Sequence, residues 1–253
     1  MESPSTTAPP VDVVDPHAPG PALILCDHAS NAVPSWVAGG DLGLSAADMN
    51  RHIAYDIGAA GVARRLGGAL AAPVLLSGFS RLVIDPNRGV DDPTLVMKLY
   101  DGSIIPANRA VDAGEVARRR VRAYDPYHDA IAGQIAAMEA RGAVPNLISV
   151  HSFTPQLRGR PPRPWHVGVL WDRDDRLAAP LIAALAAEGD LVVGDNAPYT
   201  GHLQGDCMNR HGTQRGLPHV LIEVRNDLIG DGRGQAAWAA RLARVLAPLI
   251  PAG

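Results

Sequence analysis

Short apolar runs alternating with longer Ala-, Leu- and Arg-rich stretches predict an α/β fold: one domain with a mostly parallel, mixed β-sheet flanked by helices on both faces. Two further observations support this. The runs are apolar throughout instead of alternating, as suits strands buried on both faces. At 253 residues, 47% hydrophobic and 19% charged, the chain has the size and composition of a single soluble α/β domain. Disorder and collagen-like repeats are excluded by the same figures. A formal net charge of −3 with scattered arginines provides no contiguous basic face for a phosphate backbone, so nucleic acid is not an expected partner.

Residues 1–20, rich in Pro, Ser and Thr, read as a mobile tail or extended arm, with the domain following over 21–253. Strand-like runs follow at 22–26, 73–77, 81–85, 146–151, 166–171, 191–194 and 219–225. Each is short and β-branched or apolar. Helical spacing appears at about 56–71, 115–141, 174–188 and 234–249. Asp125-Pro126-Tyr127 interrupts the second of these, which predicts two helices or one kinked helix. The segment 158–164, RGRPPRP, is read as a surface loop suited to act as a lid.

Two cysteines, Cys26 and Cys207, are too few and too far apart for a disulfide framework or a thiolate zinc site. With no basic-then-apolar leader and no long uncharged apolar run, the expectation is a cytoplasmic protein without a membrane partner. Any transition metal would then be held by imidazole and carboxylate, which directs attention to the nine histidines.

His28 and His151 each directly follow an apolar run. Parallel strands would deliver both to the carboxyl edge of the sheet, where α/β sites form. Asp27, Ser30 and Asn31 around the first also suit a turn or a helix cap. Glu223 lies within an otherwise apolar run, where an unpaired carboxylate is expensive to bury. Either Arg225 or His219 neutralises it, or it faces a functional pocket. Arg81, Asn87 and Arg88 bracket the run 81–85 and suit a bidentate clamp on a carboxylate, although surface ion pairing explains either arginine alone. Neither a Gly-x-Ser-x-Gly elbow nor a nucleotide-binding glycine motif is present.

In this order, DHASN (27–31), SRLVIDPNRG (80–89), HSF (151–153) and LIEVRNDLI (221–229) resemble the N-formylglutamate amidohydrolase family. The motifs span about 200 residues. The family is in turn similar to zinc carboxypeptidases and aspartoacylases. That resemblance implies Zn²⁺, or another divalent metal, on His28 and His151, with Glu223 as general base and Arg81, Asn87, Arg88, Ser152 and Arg225 binding substrate. Where the carboxypeptidase pattern carries a glutamate three residues after its first histidine, this chain has Asn31. The third ligand is then Asn31 through its oxygen, or a carboxylate from Asp27, Asp56 or Asp85.

The implied activity is release of formate from N-formyl-L-glutamate or a related N-formyl or N-acyl amino acid, a small-molecule substrate. The second carboxylate of N-formylglutamate calls for another cation, for which Arg225, Arg210 and Arg215 are candidates. The alternatives are a related zinc hydrolase cutting a longer N-acyl group or a C-terminal peptide bond, and a metal-free carboxylate-binding protein of the same fold.

Overall fold

The computed structural model describes residues 9–250. It comprises β1 (Val11–Val14), β2 (Ala22–Cys26), α1 (Ala46–Met49), α2 (Ala59–Ala69), β3 (Val74–Ser77), β4 (Leu99–Tyr100), β5 (Ser103–Ile104), α3 (Ala113–Arg119), α4 (Asp125–Glu139), β6 (Asn146–Phe153), β7 (Val167–Leu170), α5 (Ala178–Ala187), β8 (Val193–Asp195), α6 (Cys207–His211), β9 (His219–Arg225) and α7 (Gly232–Leu246). Seven strands form one sheet in the order β1-β3-β2-β6-β9-β7-β8. The central β3, β2, β6 and β9 are parallel. Strand β1 runs antiparallel to β3, and β7 runs antiparallel to β9.

Each face of this sheet carries its own apolar layer. Ile24, Cys26, Ile148, Val150, Ile222 and Val224 pack with Leu66 of α2, Leu181 of α5 and Leu242 of α7. On the opposite face Leu23, Leu25, Leu147 and Leu221 pack with Tyr127, Ile131 and Ile135 of α4. The alternation within each strand follows the pleat, and apolar residues on both faces follow from helices covering both sides.

Two expectations are corrected. The first concerns the N-terminal arm. Residues 11–14 form the edge strand β1, in register with residues 74–77 of β3. The run VDVV is strand-competent, and the prolines around it bound the strand without breaking it. Residues 1–8 lie outside the described part of the chain.

Residues 81–85 are not a strand. They lie in a buried, turn-rich segment in which Leu82 N–H donates to Ser80 Oγ (3.2 Å) and Val83 N–H to Ser80 O (2.9 Å). The Arg81–Asp85 ion pair at i,i+4 suits this coiled path and not a pleat. Arg119 of α3 reaches in to donate to the carbonyl of Val83 at 2.8 Å, which fixes the segment from outside.

The stretch 113–139 is helical almost throughout, with a wider π turn at Arg120–Tyr124 between α3 and α4. Pro126 has no N–H to return to the preceding turn, and the widened turn absorbs it. Of the two expected forms, two helices or one kinked helix, the second is found: one continuous element with an irregular joint.

Helix α2 begins at Gly58, which adopts a left-handed conformation (φ 81°). A Cβ there would lie 2.1 Å from the carbonyl oxygen of Ile229. Only glycine both turns the chain and permits this approach. Gly58→Ala should therefore destabilise the fold by about 1–3 kcal/mol, read as a lower urea midpoint at unchanged m-value.

Candidate active site

The carboxyl ends of β2 and β6 converge with two loops. His28 leaves β2, His151 lies within β6, and its register partner on β9 is Glu223. The loop before α2 supplies Asp56, whose N–H donates to the carbonyl of His28 (2.9 Å). The segment after β3 supplies Arg81 and Asp85, and it is stitched to the first loop by Ser80 Oγ donating to Ala54 O (2.7 Å). Sheet register and loop hydrogen bonds thus fix every member of the group before any ligand arrives.

Asp56 Oδ2 is the focus. It lies 2.9 Å from His151 Nδ1 and 3.3 Å from His28 Nδ1, and it accepts the backbone N–H of Ser152 at 3.2 Å. The far nitrogens of the two imidazoles have carboxylates of their own. His28 Nε2 is 2.7 Å from Asp85 Oδ1, and His151 Nε2 is 2.8 Å from Asp27 Oδ2. Asp27 also accepts from Tyr127 Oη (2.8 Å) and Ser149 Oγ (2.9 Å), and Asp85 is gripped by Arg81 (2.8 Å). Burial alone would raise all three carboxyls. The His151 hydrogen bond at Asp27, the histidines at Asp56 and Arg81 at Asp85 instead hold each well below the usual carboxylate range. His151, despite its burial, is raised well above the usual imidazole range by Asp27 and Asp56.

This donor set fits a divalent metal. His28, Asp56 and His151 each present one ligand atom within 4.8 Å of the others. The two Nδ1 atoms face inward, while each Nε2 is paired with a carboxylate that fixes ring orientation and raises ligand basicity. Charge leads to the same conclusion. Three buried carboxylates, Asp27, Asp56 and Asp85, face one permanent cation, Arg81. With His151 protonated the cluster still carries about one uncompensated negative charge, and about two once both imidazoles are neutral and free to bind an ion, a costly arrangement unless a cation completes it.

A cavity of about 520 Å³ opens from this group. Glu223 lines it. Burial pushes its carboxyl up to about 7, with His151 opposing the shift and Asp56 adding to it. Its Oε2 is buried and has no hydrogen-bond partner among the described residues. Asn87 and Arg88 line the cavity too. Their segment interlocks with the start of α6, where Asn87 Oδ1 accepts from Cys207 N–H (3.2 Å). Gly89 fits against Gln204 and Gly205 so closely that an added Cβ would lie 2.8 Å from the carbonyl oxygen of Gln204.

Comparison with known proteins agrees with this arrangement. The family model for N-formylglutamate amidohydrolase matches residues 20–230. The chain belongs to the N-formylglutamate amidohydrolase family. Members hydrolyse a non-peptide C–N bond, so the protein is an amidohydrolase. Its structure is similar to that of gene product Atu2144 from Agrobacterium tumefaciens, with 36% identity, TM-score 0.90, and 97% and 95% of the two chains covered. It also shares its fold with an N-formylglutamate amidohydrolase from Ralstonia eutropha JMP134, at 21% identity and TM-score 0.65 with 96% of each chain covered. No curated protein matches the sequence significantly. No helix among the described residues is long and apolar enough to cross a membrane.

Within this amidohydrolase, some of the residues singled out from sequence meet and others do not. His28, His151, Arg81, Asn87, Arg88, Ser152 and Glu223 all line the cavity. Ser152 spends its hydroxyl on the carbonyl of Ile57 (2.8 Å), so it braces the Asp56 loop. Asn31 does not join the histidines: its amide donates to Met49 O (3.0 Å) and Asn50 Oδ1 (3.2 Å), and Asp56 occupies the inner position. Asp27 and Asp85 instead sit behind the histidines. Arg225 is directed away from the cavity, to Asp227 (2.8 Å) and the carbonyl of Trp165 (3.3 Å). Sequence reasoning missed Asp206, a buried cavity residue that caps α6 and whose carboxyl burial pushes up to about 7. Its capping position before α6 was the available signal.

It also missed a pairing behind the site. His128 of α4 and His211 of α6 stack with centroids 5.1 Å apart, and His128 Nδ1 lies 2.8 Å from His211 Nε2. Burial, with Arg210 nearby, lowers His128 to about 4. Burial, with His128 and Arg210, lowers His211 to about 3. Both are thus neutral when folded, whereas the unfolded chain takes up protons below about 6.5. The unfolded state binds more protons across the window from about 6.5 down to about 4, so stability is lost as pH falls through it. Relative to a His128→Gln/His211→Gln variant, the wild type should lose on the order of 3 kcal/mol of unfolding free energy between pH 7 and pH 5, measured by urea titration at both.

Proposed function

We propose that this amidohydrolase releases the acyl group, formyl above all, from an N-acylated amino acid. In this reading His28, Asp56 and His151 hold a divalent metal, for which Zn²⁺ suits the nitrogen and oxygen donors. When bound, such an ion supplies Lewis acidity toward the acyl oxygen and favours ionisation of water near neutral pH.

The observation that carries the reading is Glu223. It is a buried carboxylate facing the cavity beside the histidine pair, with one oxygen that has no partner among the described residues. Its carboxyl, at about 7, is matched to taking a proton and returning it near neutral pH. Glu223 removes a proton from the attacking water as the water oxygen bonds to the acyl carbon. The C–N bond then breaks, and the same proton passes from Glu223 to the leaving nitrogen, giving formate and the free amino acid. Arg88 and the Asn87 amide hold the α-carboxylate and orient the scissile bond. Arg81 acts through Asp85, keeping the carboxylate that positions His28 ionised.

Glu223→Gln should lower kcat by about 10²–10⁴-fold with little change in KM, measured by formate release. Full activity in this variant would remove Glu223 as the base. Because the carboxylate form is the active one, kcat/KM should fall as pH drops below the Glu223 pKa. Removing metal with a chelator should abolish turnover and lower Tm, and Zn²⁺ should restore both.

A further inference from the structure

We infer that Arg163 and Tyr199 together determine specificity for an acidic side chain on the substrate, receiving the second carboxylate of an N-formylated dicarboxylic amino acid such as N-formylglutamate. This inference rests on the amidohydrolase reading above and deepens it by naming the residues that read the side chain.

A substrate with two carboxylates needs two sources of positive charge in a largely buried cavity. Arg88, whose nearest Asp92 oxygen is 4.0 Å away, suits the α-carboxylate. Arg81 is engaged with Asp85 (2.8 Å) and Asp56 (3.6 Å), and Arg225 with Asp227 (2.8 Å). Neither Arg210 nor Arg215, the other cations expected from sequence, lines the cavity. Arg163 does not line it either, but its guanidinium stands against Phe153, Thr154 and Tyr199, which do. Its central carbon lies 5.7 Å from the centre of the Phe153 ring and 4.9 Å from that of Tyr199. One terminal nitrogen donates to Thr154 O and to Tyr199 Oη, both at 3.1 Å. Both acceptors are neutral, and among the described residues no carboxylate pairs with this arginine.

Sheet geometry brings this group to the reacting end of the cavity. Phe153 lies two residues beyond His151 on β6, hence on the same sheet face and about 7 Å further along the strand. The 158–164 loop, whose sequence suggested a lid, is folded back onto that strand end by Arg163 N–H donating to Pro155 O (2.8 Å). Pro161, Pro162 and Pro164 stiffen its path. Arg158 and Arg160 of the same loop are exposed, whereas Arg163 is half-buried.

Tyr199 connects this cation to the cavity. Its hydroxyl accepts from Arg163, which leaves its own proton to be donated to an anion inside. Burial, with Glu223 nearby, raises the phenol, so it stays protonated and remains a donor. The charge of Arg163 is felt within the cavity as well. His52, which lines it, is lowered by burial first, and Arg51, Arg81 and Arg163 add to that shift against Asp101. A distal carboxylate on Tyr199 Oη thus meets a donor backed by a full positive charge, whereas an uncharged amide there forfeits the charge-assisted part of the interaction.

The test compares N-formyl-L-glutamate with N-formyl-L-glutamine, isosteric compounds that differ in side-chain charge, on the zinc-loaded enzyme. Calorimetric binding of both to Glu223→Gln is the second readout. Wild type should favour the glutamate derivative at least about tenfold in kcat/KM. Arg163→Gln should reduce that preference by about 10–100-fold, through KM and not kcat. Tyr199→Phe should reduce it in the same sense, and Arg163→Lys, which keeps the charge, should restore part of it. A wild type without the preference, in turnover or in binding, overturns the inference and leaves the deformylase reading intact. So does an equal loss on both substrates in Arg163→Gln, the mark of a merely structural loop. If neither compound is hydrolysed, yet N-formyl-L-glutamate binds Glu223→Gln more tightly and adding Arg163→Gln removes the difference, the side-chain assignment holds and the reaction assignment fails. If neither binds, both fail.

Discussion

The site depends on one carboxylate oxygen, Asp56 Oδ2, shared between two imidazoles that arrive on different strands. Two backbone bonds fix it: the Asp56 N–H to the carbonyl of His28, and the Ser152 N–H to the side chain itself. The loop carrying Asp56 is therefore tied to both strand ends at once. Behind it, Asp27 and Asp85 fix the outer nitrogens of the same rings. Each imidazole is held at both nitrogens, so neither ring is free to rotate or to exchange tautomers without breaking a charged contact.

Such concentrated negative charge would not persist in a core without compensation, and the fold distributes that compensation asymmetrically. Arg81 neutralises the His28 side, whereas Asp27 on the His151 side is met by the raised imidazole of His151 and by hydroxyl donors from Tyr127 and Ser149. The two histidines therefore sit in different fields. The half that carries the raised imidazole is also the half beside Glu223. There burial lifts the Glu223 carboxyl to about 7 against the pull of His151.

Much of this was legible in the sequence, for identifiable reasons. Strands β2, β6 and β9 are buried on both faces, so their apolar runs stand out, and a polar residue at or just beyond such a run is conspicuous. His28, His151 and Glu223 were found in that way. Asp56 was less visible, because a carboxylate in a loop resembles any other until tertiary contacts place it, and it had stood as one of three substitutes for Asn31. The run 81–85 misled because a buried coil has the same apolar composition as a buried strand; only the Ser80 hydroxyl bonds and the Arg81–Asp85 pair distinguish them. Arg225 misled in the opposite sense. Two residues after Glu223, it shares that residue's sheet face, yet Asp227 in the following turn draws it aside. The pairing of His128 with His211 spans 83 residues, and neither residue's local surroundings reveal it.

The interlock between residues 87–89 and the start of α6 bears on how specificity can change in this scaffold. Gly89 admits no side chain against Gln204 and Gly205, and Asn87 holds the first N–H of the helix. The 87–89 turn and the start of α6 are therefore one mechanical unit. Grafting a different start of α6 from a relative, without the matching 87–89 turn, would displace Arg88 along with it. Successful specificity transplants in this scaffold will have to move the two segments as a cassette.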